Sequence, residues 1–414
     1  MSLLGRAVET VVPRRLGRGF RWLLASSWTA NLGDGIALAA GPLLVASLTD
    51  DALLVAFAAL LRWAPPLVVG LAAGVVSDRY DRRAVLVVAN LARAVALAVL
   101  AGGVATGRMT AVGALVVVGV VGTAEVFADN TAATLAPMIV HRDDLAVANA
   151  RLQTGFITVN QLAGPPLGAV LFAAGRAWPF ATEAVLVVAA AGMVARIALP
   201  AHGRDPRAPG GVRAEVVEGL RWTWHHPAVR TLTLTILIFN VTFGAAWGVL
   251  VLYTTQRLGM GALGFGLLTT VSAVGGLVGT GLYDWITRRV RLGDIMRIGL
   301  VIETLTHLGL ALTRSPWVAS GIFFVFGAHA FIWGTTATTV RQRAVPTELQ
   351  GRVGSVYTLA LFGGLVAGSL VGGVLATGFG VTAPFWFAFA GSAVFLVLLW
   401  RELTRIAHAD EPAT

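Results

Sequence analysis

The chain has 414 residues, of which 56% are hydrophobic and only 13% charged, with a mean hydropathy of +0.77. Soluble domains carry about 45–50% apolar residues and roughly twice this share of charge, so a water-soluble globule is excluded and a bilayer is the expected solvent. The formal charge of +10 comes from 31 basic residues against 21 acidic ones. All the basic residues are Arg, and they are scattered between apolar runs rather than gathered in a basic helix or patch, which speaks against nucleic acid as a partner. Zero Cys removes disulfide frameworks and thiolate chemistry. The first twenty residues are polar and Arg-rich, without the short apolar core of a cleavable signal.

Apolar runs of bilayer length, bounded by Arg, Asp, Gly and Pro, predict an all-α integral membrane protein. Twelve transmembrane helices are expected at about 22–48, 53–77, 84–105, 110–133, 147–174, 178–199, 230–254, 263–285, 294–313, 317–340, 353–376 and 382–402. Arg6, Arg14, Arg15, Arg18 and Arg21 precede the first span, and Arg79, Arg82, Arg83 and Arg142 follow the second and fourth. The opposite face is poor in Arg, so both termini are expected in the cytoplasm. The polar stretch from Ala201 separates six spans from six. It begins as a Pro/Gly linker and continues as VRAEVVEGLRWTWHHP, where Val212, Val216, Val217, Leu220 and Trp224 fall at helical spacing, as in an amphipathic helix on a membrane surface. The expected organisation is a six-helix bundle at 1–200, a cytoplasmic linker at 201–229 and a second six-helix bundle at 230–414.

The halves look like copies. Asp78, Arg82 and Arg83 are each separated by 206 residues from Asp284, Arg288 and Arg289, and Gly164 and Gly168 by 204 residues from Gly368 and Gly372. Duplication of a six-helix unit around a pseudo-twofold axis follows.

The loop after the second span reads GVVSDRYDRRAVL, with Gly74, Asp78, Arg79, Arg82 and Arg83. Asp78 sits at a helix end, where it can pair with Arg and with a neighbouring helix N-terminus and latch one conformation, with Asp81 as a second acidic partner; a positive-inside loop with incidental acids is the plainer alternative. The second copy lacks an Arg directly after Asp284 and carries Thr280 in place of Gly74, so a weaker latch is expected there. The first copy resembles the signature loop of the major facilitator superfamily. Within that superfamily the chain is similar to the drug- and siderophore-exporter branch, through Asn31-Leu32-Gly33-Asp34-Gly35, LRWAPP at Leu61–Pro66, HRDDLAVANA at His141–Ala150, GLRWTWHHP, and RQRAVPTELQGRVGSVY at Arg341–Tyr357. Gly164, Pro165 and Gly168 in the fifth span resemble the G-P-x-x-G motif of proton-coupled antiporters, although kinking and close packing alone also use these residues.

Ionisable groups inside spans are costly and point to function. Asp34 lies midway along the first span with Asn31 one turn earlier, and desolvation there disfavours the charged carboxylate, so Asp34 is the leading proton-coupling candidate; permanent pairing with Arg62 or Arg93 is the structural alternative. Glu125 and Asp129 in the fourth span are further coupling candidates. The resemblance implies a central cavity lined by the first, fourth, seventh and tenth spans, which would bring Asn31, Asp34, Glu125, Asn240 and His329 together with Trp247 and Trp333. Such a chamber suits an amphipathic or cationic ligand. Glu303 and His307, four residues apart on the ninth span, read as a buried hydrogen-bonded pair rather than a metal site, since no third ligand is near in sequence.

No nucleophile–base set, phosphate loop or metal cluster is legible, so an enzyme is not expected, and neither a cofactor nor a metal is implied. The expectation is a monomeric secondary transporter of a bacterial cytoplasmic membrane. It would export a drug, siderophore or secondary metabolite by proton antiport with alternating access, among membrane lipids. A lipid or metabolite flippase or scramblase, or a receptor without transport, remains the alternative.

Overall fold

The computed structural model of the protein describes residues 14–199, 212–346 and 349–403, and every regular element among them is helical. The helices are α1 (Gly17–Leu48), α2 (Ala52–Arg79), α3 (Arg82–Ala105) and α4 (Ala111–Ala133), followed by the three-part α5, α6 (Trp178–Val194) and α7 (Val212–His225). Then come α8 (Pro227–Gly248), α9 (Ala262–Thr287), α10 (Leu292–Leu312), α11 (Pro316–Ala344), α12 (Gln350–Phe379) and α13 (Ala383–Leu399).

Ten of the twelve expected spans are helices long and apolar enough to cross a membrane. The other two, α6 and α13, are apolar but only 17 residues long, about 25 Å at 1.5 Å per residue against a hydrocarbon core of about 30 Å. Ten of the expected spans are thus helices of full spanning length, and the other two are shorter apolar helices at the expected places. α3 shows the logic of these helices. Leu86, Asn90, Arg93, Leu97 and Leu100 are buried, while Val88, Val95 and Val99 on the opposite side are 65%, 65% and 59% exposed. A helix that presents valine outward on one side and packs on the other is built for lipid.

Contacts divide the described residues into two compact units. One holds α1, the end of α2 from Val68, and α3 to α6; the other holds Asp50–Leu67 and everything from α7 onward. The division falls directly after Pro65 and Pro66 inside α2, where two missing N–H groups weaken the helical ladder. Within the second unit, the first part of α2 packs on α12: Trp63 stacks on Phe362 at 5.9 Å, and a Cβ on Gly373 would stand 2.9 Å from the Ala56 methyl.

α5 runs as α-helix over Leu145–Gly155, as π-helix over Phe156–Ala163 and as α-helix again over Gly164–Ala174. The prolines at 165 and 166 cannot donate to the carbonyls of Gln161 and Leu162, and the ladder widens so that the Gly164 amide donates to Val159, five residues back. The kink expected from proline thus takes the form of a two-turn π segment. α12, the corresponding helix of the second unit, lacks proline and is continuous over 30 residues.

The linker helix α7 is fixed to the start of α12. Glu218 pairs with Arg352 at 2.8 Å, and Gly219 lies so close to the Arg352 backbone that a Cβ would fall 2.6 Å from its carbonyl oxygen. Val217, Leu220 and Trp224 are 55%, 52% and 57% exposed, so this part of the expected apolar stripe faces away from the protein; the Val212 and Val216 side chains lie outside the described residues. The Pro/Gly linker before α7 and the chain after Leu403 lie outside them as well.

At the junction of α7 and α8, His226 stacks on Trp222 at 4.8 Å, and its Nδ1 accepts the Val229 amide at 3.4 Å as the N-cap of α8. Burial holds the His226 pKa below its ordinary 6.5, in keeping with a ring that must stay unprotonated at Nδ1 to accept. The unfolded chain takes up this proton at its ordinary value while the folded one resists it. The stability contribution is therefore complete above pH 6.5 and declines as pH falls below that value. The thermal unfolding midpoint of the detergent-solubilised protein, followed from about pH 8 to about pH 5, should drop on the acidic side, and His226→Asn, which keeps an N-cap acceptor without the titration, should flatten that drop.

Candidate functional site: a buried charge cluster on Arg93

Arg93 is the only cation in α3 beyond its first two residues, and its side chain is 1% exposed. It donates to Asp34 of α1, and it lies 3.6 Å from Glu183 of α6, itself 1% exposed. Glu125 of α4, half-buried, is within its electrostatic reach. The permanent-partner alternative for Asp34 thus has its partner in Arg93, whereas Arg62 sits in the other unit with its guanidinium over Trp63 at 5.3 Å.

The sequence around Asp34 explains how four helices reach one point. A Cβ on Gly33 would stand 3.1 Å from Cγ of Glu183, and one on Gly35 would meet the backbones of Asn160 and Gly164 at 2.5 Å and 2.9 Å. Gly33 therefore admits α6 and Gly35 admits α5, while Asp34 between them turns to Arg93. The same contact uses the proline-containing motif: Gly164 abuts the Gly35 backbone, and a Cβ on Gly168 would fall on the carbonyl of Ile36. Gly164, Pro165 and Gly168 are all buried. The two motifs that the sequence shows separately are opposite faces of one helix contact.

The cluster has one cation and two deeply buried carboxyls, with a third carboxyl on its flank. Buried charge is tolerated only when paired, and Arg93 can neutralise one carboxylate.

The remaining expected site residues are engaged locally. Asn31 Nδ2 donates to the Ser27 carbonyl of its own helix at 2.8 Å, and Asn240 Nδ2 to Ile236 at 2.6 Å. Asp129 is exposed on α4. In the second unit, Trp247 stacks with Phe243 at 4.2 Å, Trp333 is 7% exposed, and His329 Nε2 lies 3.7 Å from Glu303 Oε2. Glu303 therefore faces His329, not His307 as its spacing suggested. His307 is fully buried and has no hydrogen-bond partner on either ring nitrogen.

Of the loop after α2, Gly74 is half-buried and Arg79 exposed, and the Asp78 side chain lies outside the described residues. Arg82 Nε donates to the Ser77 carbonyl at 3.3 Å and Arg83 to the Ile197 carbonyl at 3.4 Å. Asp81 is the N-cap of α3, accepting the Ala84 amide at 2.8 Å, so it closes a helix instead of pairing with Arg. In the second copy, Asp284, Arg288 and Arg289 line an open pocket of about 600 Å³ with Gly281 and Trp285; Arg289 covers the Trp285 ring at 4.4 Å.

Glu183 and Arg93 were not singled out as site residues by spacing. The available signal was isolation: Glu183 is the only ionisable residue in α6. A buried carboxylate needs a counter-charge, and Arg93 lies 3.6 Å away.

The chain is helical and multi-pass, with charges paired in the buried space between its helices. The fold is shared with solved transporters. The nucleoside transporter NupG superposes with a TM-score of 0.71 at 12% identity, covering 94% of this chain and 99% of that one. A bacterial homologue of the iron transporter ferroportin, in its inward-facing state, superposes with a TM-score of 0.70 at 17% identity, covering 98% and 100%. Over residues 12–413 the chain belongs to the transmembrane secretion effector family. It is 26% identical over 379 residues to the multidrug efflux pump Tap of Mycolicibacterium fortuitum, spanning 88% of this chain and 90% of that protein.

Removing the cation should be worse than removing a carboxyl. Arg93→Leu leaves Asp34 and Glu183 without their shared counter-charge and should lower stability by about 3–5 kcal/mol. Restoring neutrality with Asp34→Asn and Glu183→Gln in the same chain should recover most of that loss. Thermal unfolding of the three proteins in detergent checks the order, and a double carboxyl change that recovers nothing would show that the charges are not balanced against each other.

Proposed function

We propose that this transporter is a proton-coupled exporter of amphipathic small molecules, cations among them, in a bacterial cytoplasmic membrane. Both termini lie in the cytoplasm, and two helical units alternate access to the substrate. The observation that carries this reading is the buried set of Arg93, Asp34 and Glu183, which has more carboxyls than cations. A transporter that moves protons needs a group that takes one up in one state and gives it away in the other, and a carboxyl buried inside a membrane span is such a group. Asp34 bonds to Arg93 directly, and Glu183 lies 3.6 Å from it. Similarity to an efflux pump supports outward transport. The Arg distribution, rich before the first helix and after the second and fourth, supports the orientation. Glu125 and Asp129 on α4 are the flanking acids through which a cationic substrate and a proton would compete. The loop of Asp78 with Arg79, Arg82 and Arg83 is the conformational latch, with Asp284, Arg288 and Arg289 as its weaker copy. The substrate surface includes Asn31, Asn240, Trp247, His329 and Trp333.

Coupling is tested by ethidium accumulation in cells with and without the protein, before and after a proton uncoupler. The wild type should keep dye low only while the proton gradient stands. Asp34→Asn keeps the packing and removes the titration, so uphill export should fall tenfold or more while the protein still folds and binds dye; full gradient-driven export by this variant would refute the assignment.

The latch is tested by cysteine labelling, which the absence of natural Cys makes clean. In the proposed latch Asp78 makes a charge-assisted contact, and losing one of about 1.5–3 kcal/mol in Asp78→Ala is enough to shift a two-state equilibrium more than tenfold. A cysteine on the inner side of the cavity should then label faster and one on the outer side more slowly, and unchanged labelling on both sides would refute the latch.

A further inference from the structure

The second unit has its own buried titratable set, on α10 and α11. Gly299 of α10 leaves room there for an imidazole from α11: a Cβ on Gly299 would stand 2.9 Å from His329 Nδ1. The other ring nitrogen, Nε2, faces Glu303 Oε2 at 3.7 Å, with side-chain exposures of 4% and 12%. Gly299, Glu303 and His307 are spaced by four residues, so all three lie on one face of α10. His307 is 0% exposed, and neither of its ring nitrogens nor Nδ1 of His329 has a hydrogen-bond partner. Aromatic rings close the set from α8 and α11: Trp247 meets His307 edge-on at 6.4 Å and Phe326 meets His329 at 5.8 Å.

We propose that Glu303, His307 and His329 form a second proton-binding site, within the C-terminal unit and distinct from the Arg93 cluster. Its role in transport rests on the proton-coupled reading above, while the binding of protons rests on the geometry alone. Glu303 and His329 together are neutral when they share one proton, whether it sits on the carboxyl or on Nε2. One proton fewer leaves a buried carboxylate, and one more leaves a buried imidazolium facing His307. Each departure is costly in a low dielectric, so a charge brought near the pair makes it take up or release a proton.

Among the described residues, the other ionisable groups of the helices around the three lie toward the helix ends. α13 has no ionisable residue, and Arg230 is in the first turn of α8. Tyr283 and Asp284 lie near the end of α9, where Thr336 Oγ1 donates to the Tyr283 hydroxyl at 3.4 Å. Arg341 and Arg343 are in the last turn of α11. Asp294 and Arg297 lie toward the start of α10, with Arg297 Nε bound to the Trp400 carbonyl at 2.8 Å. Among the described residues no group of three His, Asp or Glu is arranged to hold a metal ion.

The test uses the full chain in lipid nanodiscs with its 7 histidines isotopically labelled. NMR follows the ring signals from about pH 5 to about pH 9, with His307→Gln and His329→Gln assigning the two rings. The His329 signal should change protonation state within this range, and its midpoint should move by about one pH unit, tenfold in proton affinity, in Glu303→Gln. In proteoliposomes loaded with ethidium, Glu303→Gln and His329→Gln should each lower the protons exchanged per dye by about one. Rings that hold a single state across the range, or a His329 midpoint unmoved by Glu303→Gln, would overturn the site. If Glu303→Gln does not fold, the wild-type titration of His329 decides alone. Static rings in a chain whose dye export follows the proton gradient would remove this site and leave the exporter. Titrating, coupled rings in a chain whose export ignores an uncoupler would keep the site and remove the exporter.

Discussion

Everything in the first unit is arranged around keeping one guanidinium out of water. Arg93 is 1% exposed in the middle of a valine-rich helix, a placement that costs several kcal/mol unless opposite charge and hydrogen bonds surround it. Asp34 and Glu183 provide that charge, and they come from α1 and α6. These helices must therefore pack against α3 at one level of the bundle and in one rotation. A bilayer gives little hydrophobic drive for helices to associate with each other, so polar contacts and close backbone packing select among arrangements that apolar faces leave nearly equal.

Glycine supplies the close packing. In the first unit, α1 and α5 meet through Gly35, Gly164 and Gly168. In the second, α8 and α12 meet through Gly244, Gly364, Gly368 and Gly372, each with a neighbouring backbone where its Cβ would be. The corresponding helices of both halves touch in the same way, which is the structural form of the internal repeat. The difference between them is also local: prolines 165 and 166 force a π segment into α5, and α12 has none. Helices whose backbones are in contact can slide or rock without repacking large side chains, and a widened ladder in one of them gives it a compliant stretch.

The halves differ in their buried charge. Among the described residues the second unit has no Arg as deeply buried as Arg93, and its ionisable set is two imidazoles and a carboxyl. A guanidinium keeps its charge, whereas an imidazole can give up its charge with its proton. The first unit thus keeps a fixed cation beside its carboxyls, and the set of the second unit contains none.

The amino-acid sequence by itself determined the solvent, the helices and the duplication. Hydropathy over bilayer length is a property of contiguous residues, and the repeat is written in residue spacing. It also marked Asp34, the loop at Asp78 and the motif at Gly164, because a carboxyl, an Arg run or a proline inside an apolar stretch stands out against its neighbours. Only the tertiary structure decided who pairs with whom. Glu303 and His307 are four residues apart and look like partners, yet Glu303 faces His329 from another helix. Asp81 looks like a partner for Arg and is a helix cap. Glu183 has no neighbouring signal and becomes a member of the charge cluster. Pairing in a low dielectric is set by which helix faces are brought to the same depth and rotation, and that is fixed by glycine contacts between residues more than a hundred positions apart, a distance over which local spacing carries no information.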